Sequence, residues 1–204
     1  MAGSGMTKIV GQPTPRIEGR EKVIGGAIYT VEVTLPGILW GKVLRSPISY
    51  GRIKNIDISK ALQVPGVKTV IAGQDVTGLR IGRRIYDLPF LADGLVRFIG
   101  ERVAAVAAET EEAAETAVDL IDVEYEEMEP LPDPLEAIKP AAPVLHPDLL
   151  SYRGLPTKLE AVSNVFAYLR WGKGDVEAGF QQADVIVENT FTTQVVHQSY
   201  LEPH

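Results

Sequence analysis

The chain contains no cysteine among its 204 residues and only three histidines, His146, His197 and His204. The missing thiols exclude a disulfide framework, a thiolate nucleophile, Cys-ligated zinc and a Cys-ligated iron–sulfur cluster within these residues. They also fit a cytoplasmic setting. The scarcity of imidazole leaves little room for acid–base chemistry centred on histidine. Long apolar runs are missing too. The longest covers residues 103–108, far short of the ~20 residues a membrane span needs. Positive charge is in deficit, with 20 Lys and Arg against 27 Asp and Glu, for a net charge of −7. Nucleic-acid binding, which draws its affinity from Lys and Arg meeting phosphates, is therefore not expected. What remains is 45% apolar, and a chain of this length buries about 70% of its unfolded surface.

The opening Met1-Ala2-Gly3-Ser4-Gly5-Met6 reads as a cloning scar ahead of a disordered start over residues 1–10. It has neither the basic stretch nor the apolar run of a signal peptide. Gly and Pro then mark an extended arm to residue 27. Strands are expected at residues 39–45, 52–58 and 67–72, with a turn at Ser46-Pro47 and a short helix at 60–63 ended by Pro65-Gly66. Residues 74–94 look irregular. A strand from Arg102 leads to Thr110, which caps a helix whose first turn carries Glu111 and Glu112 and whose apolar face is Ala113, Ala114, Ala117, Val118 and Ile121. A further strand starts at Val123, and the strand–helix–strand order points to helices packed on a sheet. Seven prolines within residues 129–161 predict a linker wrapping a surface. Beyond it come a strand at 164–171, a turn at Gly172-Lys173-Gly174, a helix capped by Asp175, and an alternating strand over 184–196. That last strand, followed by Leu201-Glu202-Pro203-His204, suggests a piece of something longer or one subunit of a complex.

The chemical motifs are weak one by one. Gly172-Lys173-Gly174 has Glu177 where a dinucleotide fingerprint needs its third glycine. Gly37, Gly41 and Lys42 fall one residue short of a phosphate loop, and Val43 stands in place of its hydroxyl residue. Arg80, Arg83 and Arg84 form a basic cluster, read first as a solvated loop and second as a site for an anion or a face for an acidic partner. Glu124 and Glu126 fall on the opposite side of a strand from Tyr125 and read as a solvated face. His197, Glu202 and His204 are metal-ligand types, but in an extended segment His197 points away from the other two. A pocketed Glu202 carboxylate is the one candidate for holding a polar substrate by hydrogen bonds.

Taken together, several stretches resemble the large molybdopterin-binding subunit of the xanthine dehydrogenase, aldehyde oxidase and carbon monoxide dehydrogenase family, in its N-terminal portion. They are Pro36-Gly37-Ile38-Leu39-Trp40-Gly41-Lys42-Val43-Leu44-Arg45-Ser46-Pro47, Ile56-Asp57-Ile58-Ser59-Lys60-Ala61-Leu62 with Pro65-Gly66-Val67, and Val96-Arg97-Phe98-Ile99-Gly100-Glu101-Arg102-Val103-Ala104. Asp122-Val123-Glu124-Tyr125-Glu126, Gly174-Asp175-Val176-Glu177-Ala178 and Tyr200-Leu201-Glu202-Pro203-His204 complete the set. The resemblance implies an α+β fold: an α/β hammerhead, a mixed sheet with packed helices, over residues 11–128. It implies a Pro-rich linker at 129–161 and the first strands and helix of a truncated molybdopterin-binding domain at 162–204. It implies a fragment of a molybdenum-dependent oxidoreductase acting on aldehydes, N-heterocycles or xanthine, serving structure and assembly and inactive alone. No catalytic, cofactor-binding or metal residue is then expected here, and Glu202 would be the substrate contact. Molybdopterin would belong to the parent complex. Iron–sulfur clusters and FAD would sit on partner chains or domains, and the parent would be oligomeric. Ile48 stands where many members have His, and Glu32 where many have Asp. A non-catalytic assembly or small-molecule-binding module is the competing reading.

Overall fold

A computed structural model describes residues 11–197. The expected scar and disordered start at residues 1–10, together with Glu202 and His204, lie outside the described residues. The arm at the start is exposed and holds one short helix, α1 (Gly19–Val23), and a 3₁₀ turn at Thr30–Glu32, neither of which the Gly- and Pro-rich composition predicts.

The body begins with β1 (Trp40–Arg45) and β2 (Gly51–Asp57), followed by β3 (Val67–Ala72). The stretch expected to be irregular contains two very short paired strands, β4 (Arg80–Ile81) and β5 (Leu88–Pro89), and then β6 (Leu95–Val96). Next come β7 (Arg102–Ala108), α2 (Glu111–Asp119) and β8 (Asp122–Glu127). The result is α+β, as the resemblance implies. The sheet is not the mixed one expected: the described ladders are antiparallel throughout, in sheets ordered β1-β7-β3, β6-β2-β8 and β4-β5. The strand–helix–strand unit expected around α2 therefore bridges two sheets: β7 is central in one and β8 is at the edge of the other.

The position of β7 follows from its sequence. Val103, Ala104, Val106 and Ala108 are at most 2% exposed, which only a strand paired on both sides and covered on its faces achieves. Thr110 caps α2 by accepting from the Ala113 amide at 3.1 Å. Ala114 and Ala117 are fully buried, and their small side chains let the helix lie close to β1 and β7. Lys42 of β1 fastens the exposed flank, donating to Glu111 at 2.8 Å and Glu115 at 2.7 Å. Those two carboxylates, one helical turn apart, hold the Lys42 ammonium well above its ordinary pKa. Ala61, Val70, Ala104, Val106 and Ile121 form one core cluster. Ala92, Val96 and Val103 form a second, and Ile56 and Val123 pack against both. Fully burying a valine such as Val103 contributes roughly 1.5–3 kcal/mol.

Past the body the chain is less regular. A one-turn helix, α3 (Pro134–Ala137), and a 3₁₀ turn at Leu149–Ser151 interrupt the Pro-rich stretch. The helix expected after Asp175 is present as α4 (Val176–Gln182), with Asp175 accepting from the Ala178 amide at 3.0 Å. The flanking stretches 164–171 and 184–196 keep the alternation that predicts strands. They have no ladder partner among the described residues. A strand is completed by its neighbours, and periodicity cannot supply one.

Candidate functional site

Glu101 precedes β7 and is only 2% exposed. Its Oε2 accepts from the Arg97 amide at 2.6 Å, while Oε1 accepts from no described residue. Around it the backbone is knotted: the Ser46 amide donates to Glu101 O and the Gly100 amide to Ser46 O, both at 2.8 Å. Arg45 adds a bond to Gly100 O at 2.9 Å. Burial pushes the Glu101 carboxyl above the usual carboxylate range, against the Arg97 amide bond and the Arg97 and Arg102 charges. The sign follows from linkage. A carboxyl whose pKa is raised by folding binds its proton more tightly folded than unfolded, so its contribution weakens as pH rises through and above the ordinary carboxylate pKa. Glu101→Gln removes the buried charge. The wild type is expected to lose stability relative to Glu101→Gln between about pH 4 and neutrality, read as the difference between their urea midpoints across that range. A pH-independent difference would contradict this.

The second cluster ties the Pro-rich segment to the body. From the sequence, Arg80 belongs to a solvated loop with Arg83 and Arg84. The structure separates them: Arg83 and Arg84 are exposed, whereas Arg80 is drawn inward. Its guanidinium donates to Asp87 O at 2.9 Å, ion-pairs with Asp148 and lies over the Tyr152 ring at 4.6 Å. Tyr152 donates to the other Asp148 oxygen at 3.1 Å. With that proton committed, His146 Nδ1, 2.9 Å from the same hydroxyl, carries the hydrogen and donates to it. Burial, helped by the Arg97 charge, lowers the His146 pKa, with Asp87 and Asp148 opposing. Beside this chain of bonds lies a cavity of about 320 Å³, lined in part by His146, Tyr152, Asn164 and Phe166. Neither Asp148 nor Tyr152 is marked by any motif. The available signal is Arg80 itself, a cation that needs a partner once it is drawn inward.

A third feature is exposure. Phe166 is 53% exposed, Trp171 91% and Phe191 88%, and Val185, Val187 and Val195 are exposed with them. Large apolar side chains in that density mark a surface that something else covers. The acidic run behaves as expected: Glu124 and Glu126 face solvent on β8, with Lys54 at 2.7 Å from Glu126.

The aldehyde oxidase and xanthine dehydrogenase a/b hammerhead domain matches residues 24–129, just over half of the chain. The chain belongs to this family. The molybdopterin cofactor-binding domain matches residues 158–204. One relative, a probable xanthine dehydrogenase component from Bacillus subtilis, is 39% identical over 95% of the chain, which spans 24% of that relative. The nicotinate dehydrogenase large molybdopterin subunit of Eubacterium barkeri is 32% identical over 96% of the chain and 43% of its own length. A crystal structure of Cu,Mo-CO dehydrogenase superposes with a TM-score of 0.72 at 34% identity, covering 86% of this chain and 23% of that one. The chain thus spans between about a quarter and under half of the curated relatives it matches.

Membership of the family implies molybdopterin. The described residues do not form a seat for it. They contain no group of three His, Cys, Asp or Glu side chains able to hold a metal ion. The described part of the molybdopterin-domain match is α4 and mostly exposed chain, and its half-buried Asn164 is committed to the connector. No described helix is long and apolar enough to cross a membrane.

Proposed function

We propose that the chain is the structural and assembly part of a molybdenum hydroxylase large subunit. Residues 11–128 are its hammerhead, 129–161 the connector and 162–204 the opening of the molybdopterin-binding domain. The observation that carries this is the exposed apolar series from Phe166 to Val196, which a free-standing domain would bury and a larger subunit covers. In the complete enzyme, molybdopterin supplies the oxidation of an aldehyde, N-heterocycle or purine carbon. Without cysteine these residues cannot ligate an iron–sulfur cluster in the usual way, and we assign the clusters, with FAD, to partner chains of a cytoplasmic oligomer. Glu202 is assigned there to substrate contact, and Glu101, Asp148 and Asn164 to holding the scaffold. By itself the chain is expected to retain no molybdenum and to oxidise neither aldehydes nor purines with an added electron acceptor. Elemental analysis and a turnover assay on the purified chain check this, and turnover by the chain alone would contradict it.

A further inference from the structure

We propose that the cleft between the hammerhead body and the Pro-rich connector is a carboxylate-binding site, one that goes beyond the assembly role. It encloses about 480 Å³, and its charged lining is Arg52, Arg80, Arg97, Asp93 and Asp148. Sites of this size take small organic ligands. Three guanidinium groups meet here in a chain whose net charge is −7.

The three arginines are not equivalent. Arg80 is consumed by Asp148, Asp87 O and the Tyr152 ring, so it and Asp148 cancel and act as a wall. Arg97 is oriented: its Nε donates to Leu145 O at 3.1 Å, and its terminal nitrogens donate to no described residue. The Arg52 side chain, on β2, donates no hydrogen bond to any described residue. Its neighbour across the ladder, Glu126, is held by Lys54 at 2.7 Å. Two guanidinium groups without a carboxylate hydrogen-bonded to them therefore stand on the lining with the single Asp93, and their charges also act on Glu126 and Glu101. With part of that positive charge already answered, a monoanion suits the lining better than a phosphate dianion. A carboxylate also matches the planar fork of an oriented arginine. Tyr50, Leu95, Met128 and Val144 supply the apolar part of the lining, which suits a carboxylate carried on an apolar body.

The carboxylate can be a free organic acid or an Asp or Glu side chain from another polypeptide segment, and the test separates them. The 204-residue chain is titrated at constant ionic strength with benzoate, with an amide-capped glutamate and with inorganic phosphate, following the arginine Nε–H signals by NMR. Saturable binding of benzoate supports the site and names a free acid. Saturation by capped glutamate alone supports it and names a side chain. In either case Arg52→Gln, which removes no internal hydrogen bond, is expected to weaken binding about tenfold or more. The proposal is overturned if neither carboxylate saturates by about 20 mM, if phosphate binds more tightly than both, or if Arg52→Gln binds like the wild type.

Discussion

Gly154→Val is expected to open the joint between the Pro-rich segment and the body, costing on the order of 3 kcal/mol or more. Two penalties coincide at this residue. Gly154 has φ +87°, which β-branched residues strongly resist, and a Cβ there would sit 1.8 Å from Arg84 O. That oxygen belongs to backbone and cannot rotate away. The neighbouring residue explains why the approach is so close. Arg153 O accepts from the Tyr86 amide at 2.9 Å, and the Arg153 guanidinium stacks on the Tyr86 ring at 3.8 Å. Residues 153–154 therefore clasp the loop that carries Tyr86, and a side chain at 154 would have to prise it off. Gly78→Ala is the control: Gly78 has φ +80° but nothing within 4 Å of a Cβ. It isolates backbone strain, about 1 kcal/mol. Hydrogen exchange at the Tyr86 amide and urea midpoints read the two variants. A Gly154→Val protein as stable as Gly78→Ala would show that the close approach does not matter.

Asn164→Asp is expected to release the connector by about 2–3 kcal/mol, more than its near-isosteric shape suggests. The Asn164 carboxamide oxygen accepts from the Leu145 amide at 2.9 Å. Its nitrogen donates to Ala137 O at 3.0 Å and to Pro143 O at 2.9 Å. One side chain thus fastens three points of the Pro-rich stretch. Aspartate keeps the acceptor, loses both donors and turns a charged oxygen toward two carbonyls. Asn164→Ala loses all three bonds without the repulsion, and is expected to be less damaging than the aspartate at neutral pH. Acidification should rescue the aspartate alone, because protonation restores a donor. Tryptic cleavage after Lys158, an exposed residue of the same stretch followed by Leu159, follows both variants. Equal cleavage of Asn164→Asp and the wild type would contradict the assignment.

The two joints show where sequence reading succeeds and where it stops. Elements made by local chemistry are legible: the Thr110 and Asp175 caps, the buried 103–108 run and the 67–72 strand all lie where pattern places them. The alternation at 184–196 is also real, but strand formation needs a partner that periodicity does not provide, and none pairs with it among the described residues. Long-range fastening is invisible for the same reason. Arg80 reads as a solvated loop residue because Asp148, 68 positions away, carries no mark. The family resemblance is legible from ordered motifs spread along the chain, and the hammerhead match over 24–129 bears it out. Glu202 lies outside the described residues and stays a proposal.

The central claim is that the exposed series after the connector is covered by the rest of a large subunit. Trp171 reports on it directly, being 91% exposed and one of two tryptophans. Trp40→Phe leaves Trp171 as the sole emitter. Mixed with the separately produced remainder of a family large subunit, this variant is expected to form a one-to-one complex with a clear blue shift of its emission. Emission that stays at the solvent-exposed wavelength, with no complex at micromolar concentration, would contradict the account.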